Sequence, residues 1–111
     1  MSLIPVSNLP IKIVSIEWAG GVCPYQLQGI TDDKQYFYLR YRSGRLRAGV
    51  APTEREFWES KSMYNVIDKQ VGDRYDGWVN DEYFAPLVKG IISFPEGFKL
   101  DSKNFVENDK M

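Results

Sequence analysis

Arg40, Arg42, Arg45 and Arg47 carry the strongest chemical bias in this chain, four guanidinium groups spaced two apart on either side of Ser43-Gly44. A guanidinium is permanently charged and presents a planar fork of N–H donors, so a cluster of them suits carboxylate or phosphate. Tyr36 and Tyr38 precede the arginines at the same spacing of two. Aromatic rings interleaved with positive charge also suit the bases and phosphates of single-stranded nucleic acid.

Other chemistry is scarce. The chain has no histidine, which removes serine–histidine–aspartate and cysteine–histidine schemes, histidine general bases and the usual transition-metal sites. Cys23 is the sole cysteine. Its neighbours Gly20, Gly21, Val22 and Pro24 supply neither a cation nor a helix start, so it reads as a structural thiol that forms no internal bridge and fits a reducing compartment. Asp73 and Asp76 with Gly77 lack the D-x-D-x-D-G spacing and the distal glutamate of a calcium loop. The carboxylate pairs Glu54 with Glu59 and Asp73 with Asp76 read as solvated helix and turn acids. Ala19-Gly20-Gly21 leads to Cys-Pro and another strand, so it is no phosphate loop. The expectation is a chain that is not an enzyme and uses no metal and no cofactor.

The elements that position the arginines follow from their neighbours. Ser43-Gly44 suits a two-residue hairpin loop, because the second central position tolerates positive φ. Arg42 then faces Arg45, Tyr41 faces Leu46, Arg40 faces Arg47, Leu39 faces Ala48, Tyr38 faces Gly49 and Phe37 faces Val50. Side chains alternate across a strand, so Phe37, Leu39, Tyr41, Leu46, Ala48 and Val50 share one side. Tyr36, Tyr38, Arg40, Arg42, Arg45 and Arg47 share the other. A slip of one residue would set Arg40 beside Leu46, so burial of the apolar side fixes the register. Opposed like charges destabilise such a ladder by roughly 0.2–1 kcal/mol per pair, which calls for stacking on tyrosine, splaying into water, or an anion.

The chain supplies acids of its own. It has 111 residues with 14 basic and 15 acidic side chains, so any polyanion binding must rest on local segregation. Arg40 to Arg55 is basic, whereas Asp68, Asp73, Asp76, Asp81 and Glu82 make the following stretch acidic. Internal neutralisation of the arginine face by that stretch competes with binding of an outside anion.

Around the hairpin, Ile11 to Trp18 reads as a strand of ambiguous facing and Tyr25 to Ile30 as a second. A three-residue loop in the turn around Thr31-Asp32-Asp33-Lys34 would place Tyr25 and Leu27 with the core side, and Gln26 and Gln28 beside Tyr36, Tyr38 and Arg40. Thr53 to Glu56 has the pattern of a capped helical turn. Tyr64 to Val71 reads as a strand and Gly72 to Gly77 as a loop. Asn80 caps a short or kinked helix that contains Pro86, and Ile91 to Phe94 is a last short strand. Residues 1–98 are expected as one globular domain, and Lys99 to Met111 as a polar, frayed tail. The fold class is α+β, mainly an antiparallel meander with one short helix packed on its apolar face.

The functional expectation is a non-catalytic interaction or regulatory protein. It would bind an acidic protein partner, or its own copy as a homodimer, through Tyr36, Tyr38, Arg40, Arg42, Arg45, Arg47, Gln26 and Gln28. Trp58, Tyr75 and Trp78 form a secondary aromatic surface, since tryptophan, tyrosine and arginine are enriched at interface hot spots. The alternative is a single-stranded nucleic-acid-binding module on the same face. No basic leader, no long apolar stretch and no membrane segment is read from the sequence, so a cytoplasmic location is expected.

Overall fold

The computed structural model describes residues 9–22 and 24–107, so the reading of Cys23 lies outside the described residues. In chain order the elements are β1 (Ile11–Gly20), β2 (Tyr25–Thr31), β3 (Tyr36–Arg42), β4 (Arg45–Ala51), α1 (Glu54–Glu59), β5 (Ile67–Gln70), α2 (Asp81–Val88), β6 (Ile92–Ser93) and β7 (Val106–Glu107). The sheet runs β5-β4-β3-β2-β1-β6, with β7 also on β1. Every pairing is antiparallel except β1 with β6, which is parallel. The result is an α+β domain dominated by an antiparallel meander.

The two central turns have the residue chemistry their geometry demands. Ser43 at φ 56° and Gly44 at φ 75° make a two-residue turn with both positions left-handed, the form whose twist matches paired strands. The β3–β4 register therefore runs from Arg42 opposite Arg45 to Tyr36 opposite Ala51, as the sequence predicts. Asp32 to Gln35 connect β2 to β3, with Lys34 left-handed at φ 66° and the Thr31 N–H donating to the Gln35 carbonyl. The Thr31 hydroxyl accepts the Gln35 N–H at 2.9 Å and donates to Asp33.

One sheet face carries the main core. Leu27, Phe37, Leu39, Tyr41, Leu46, Ala48 and Val50 are joined there by Phe84 and Val88 of α2 and by Val79, Ile92 and Leu100. The Asn80 side chain accepts the Glu82 N–H and caps α2. Pro86 lies within its eight residues. The alternation of β1 breaks at two register shifts, Ile13/Ser15 and Ile16/Trp18, and these bulges are why its facing is ambiguous in sequence.

The capped turn expected at Thr53 extends into a second helix, α1, which covers the opposite sheet face, with Phe57 buried there against Tyr36, Tyr38 and Ala51. Two expectations need correction. The strand expected from Tyr64 to Val71 is confined to Ile67–Gln70, because Met63 and Tyr64 pack on that second cluster instead. Residues of the tail expected to fray are docked as far as the description runs: Leu100 is buried and Val106–Glu107 pairs with β1.

Candidate anion-binding groove

The hairpin delivers its four arginines to one place. Arg40, Arg42, Ser43, Arg45, Arg47 and Gln70 line a groove of about 240 Å³ at the turn end of the outer sheet face. Its walls are opposed residue pairs, Arg40 with Arg47 and Arg42 with Arg45, so alternation alone puts all four side chains on one side.

The turn that holds the groove open is itself clamped. The Gly44 N–H donates to the Asp76 carbonyl at 2.8 Å, and the Gly44 carbonyl accepts the Val71 and Gly72 N–H groups. A Cβ at Gly44 would collide with the carbonyl oxygens of Gly72 and Asp73 and with the Gln70 amide, so the loop approaches only because this residue is glycine. Gln70 donates from Nε2 to the Ser43 carbonyl at 3.0 Å and to the Gly72 carbonyl at 2.8 Å. Tyr41 donates from its hydroxyl to Asp76 at 2.7 Å from the core side.

Of the acidic stretch, only Asp68 reaches the arginines. Its Oδ1 accepts from Arg45 Nε at 2.5 Å and Arg47 Nε at 3.1 Å. β5 puts Asp68 directly opposite Arg47, which is how a cross-strand charge pair forms. The hydrogen bond from the Arg45 guanidinium, with the Arg47 charge behind it, holds the Asp68 carboxyl below its ordinary range, and Arg45 is raised in return. Among the described residues no carboxylate lies within ion-pair distance of Arg40 or Arg42. Asp73 and Asp76 instead accept from the Tyr75 and Trp78 N–H groups, and Asp81 from the Leu100 N–H. Glu82 lies exposed in the first turn of α2.

The tyrosines do not join the arginines. Tyr36 and Tyr38 are 7% and 3% exposed, under Phe57 at ring distances of 5.4 and 5.6 Å. Trp58 adds an edge contact to Tyr38 at 4.9 Å. Burial pushes the Tyr38 hydroxyl up to about 12 and Tyr36 higher still. Gln26 is committed to this arrangement, since its Oε1 accepts from the Tyr38 hydroxyl at 2.9 Å. Gln28 lies opposite Tyr38 on that half and does not line the groove. The ring that does meet an arginine is Tyr64, with the Arg47 guanidinium 5.2 Å from its centroid.

The secondary aromatic residues are dispersed. Trp58 packs on Tyr38 and Phe57 with its outer part exposed. Tyr75 is 77% exposed and stacked with Arg74 in the loop that clamps the turn. Trp78 is also partly exposed, and among the described residues no ring contact joins it to Trp58 or Tyr75.

A further cavity of about 500 Å³ lies beside α2, walled by Ala85, Pro86, Ile92, Phe94, Phe98 and Leu100 with Asp81 and Lys89 also lining it. Among the described residues no group of three or more potential ligands is placed to hold a metal ion, and no helix is long and apolar enough to cross a membrane. No protein-family model, curated protein or solved structure matches the chain.

Proposed function

We propose that this chain is a non-catalytic interaction protein that binds an acidic protein partner through the arginine groove. The observation that carries this reading is the charge imbalance: four arginines against Asp68 leave three net positive charges around about 240 Å³. Such a concentration of like charge on adjacent rungs is unfavourable by roughly 0.2–1 kcal/mol per opposed pair, and a bound anion would relieve what Asp68 and the Tyr64 ring leave uncompensated. Burial of Tyr36 and Tyr38 weighs against the single-stranded nucleic-acid alternative, because the two rings that follow the arginines along that face offer bases no stacking platform.

A labelled acidic peptide titrated with the protein at low ionic strength tests this. Saturable binding that weakens as salt rises and is lost in the double variant Arg40→Ala, Arg42→Ala is expected. Unchanged binding in that variant would reject the groove as the site. Size exclusion with light scattering then separates a foreign partner, where the chain elutes as a monomer, from self-association.

A further inference from the structure

We propose that the groove selects a phosphomonoester dianion over a carboxylate, so that the partner presents a phosphorylated segment; this rests on the acidic-partner reading above. The two sides of the groove are in different states. On β4, Arg45 and Arg47 each give Nε–H to one oxygen of Asp68, and Arg47 also lies over the Tyr64 ring. Their guanidinium planes are thereby oriented before a ligand arrives, and their terminal amino groups carry the remaining donors. On β3, directly across, Arg40 and Arg42 have no carboxylate within ion-pair distance among the described residues, so their forks are open to a ligand.

This arrangement asks for more than a second carboxylate. One carboxylate is already built in, and it satisfies only one N–H on each arginine of one strand. A further carboxylate brings two acceptor oxygens and one charge. A phosphomonoester brings three strong acceptor oxygens and roughly −1.5 to −2 charges, which offsets about half to two-thirds of the net positive charge of the groove, where a carboxylate offsets about a third. Directly opposed residues stand about 5 Å apart and like-facing neighbours on one strand about 7 Å apart, so the four arginines spring from one small patch, which suits a compact anion better than a long one. A nucleic-acid diester carries one charge per phosphate spread along a backbone, and Tyr36 and Tyr38, which continue the arginine face, are buried.

The test compares three labelled probes on the full chain by fluorescence polarisation: an acidic peptide with one phosphoserine, the same peptide with two glutamates replacing it, and a short single-stranded oligonucleotide. The phosphopeptide is expected to bind about tenfold more tightly than the glutamate peptide, with inorganic phosphate competing. Arg42→Gln removes that advantage, and Arg42→Lys restores only part of it because the charge returns without the fork. Arg42 is exposed, so neither variant disturbs the core, and circular dichroism verifies this. Equal affinity for the two peptides would overturn phosphate selectivity while leaving the acidic-partner reading intact. Tighter binding of the oligonucleotide than of either peptide would overturn both.

Discussion

The outer face of the β3–β4 hairpin has two halves, made by the same two strands in one register and finished in opposite ways. The half far from the turn, with Tyr36 and Tyr38, is sealed by Phe57 into a second small core. The half near the turn, with Arg40, Arg42, Arg45 and Arg47, stays open as a charged groove. Gly49 is a main reason for the boundary. It lies opposite Tyr38, and with no side chain it lets the Met63 carbonyl and the Phe57 ring settle directly on the strand, where a Cβ would collide with the first and stand 2.8 Å from the second. Two residues nearer the turn the same face carries Arg47, and its long charged side chain keeps such a cover off. A sheet face is therefore not a functional unit; its finish depends on what the chain can afford to lay over each rung.

Raising the pH should separate the halves most strongly. On the sealed half Tyr38 is held up to about 12 and Tyr36 is raised further, while Tyr25 and Tyr41 are raised in the main core on the other face, all chiefly by burial. Each raised hydroxyl lends stability that is whole below the unfolded value near 10 and is lost as pH climbs, by about 1.4 kcal/mol per group per unit. Alkaline unfolding above about pH 10, followed by tyrosinate absorbance, is expected to be cooperative; gradual ionisation with retained near-ultraviolet dichroism would contradict a sealed tyrosine half. Next in size is Phe57→Ala, which empties a fully buried ring site and should cost about 3–5 kcal/mol in a denaturant titration. Phosphopeptide affinity of the folded fraction should change much less than stability, because Phe57 meets the groove only through Tyr64, the ring under Arg47.

Gly49→Ala sharpens the boundary between the halves. The methyl group must displace the Met63 backbone, and a loss of about 1–3 kcal/mol is expected by thermal unfolding; a neutral result would mean the cover is not seated on that rung. The smallest effect belongs to Asp68→Asn. The depressed Asp68 carboxyl contributes stability that is present above the ordinary carboxylate range and lost as pH falls through its lowered value. Side-chain exposure of 38% on both Asp68 and Arg47 lets solvent screen it. Melting temperatures of the variant and the parent should differ slightly at neutral pH and converge in acid, with added salt shrinking the difference.

Much of this architecture was readable from local pattern. The Ser43-Gly44 turn and the alternation of Tyr36 to Val50 fixed every pair of the hairpin, and Thr53 and Asn80 marked both helix starts, each accepting an N–H from the first turn. The acidic stretch was visible as a counter-charge, yet only the β5 register singled out Asp68 from its five acids. Alternation groups Tyr36 and Tyr38 with the arginines because a period of two reports which residues share a side and carries no information about what lies above them.

What the amino-acid order determined by itself was therefore the set of side chains on each face, since turn chemistry and a period of two are local properties of the backbone. What only the tertiary structure decided was which part of a face stays wet. The path of residues 52–66 laid Phe57 and Met63 over the tyrosines, and the Gly44 clamp tied the arginine end to the loop at residues 71–76. Both depend on contacts between segments far apart in the chain, where the free energy of covering a surface is set by shape and charge together and leaves no periodic trace in sequence.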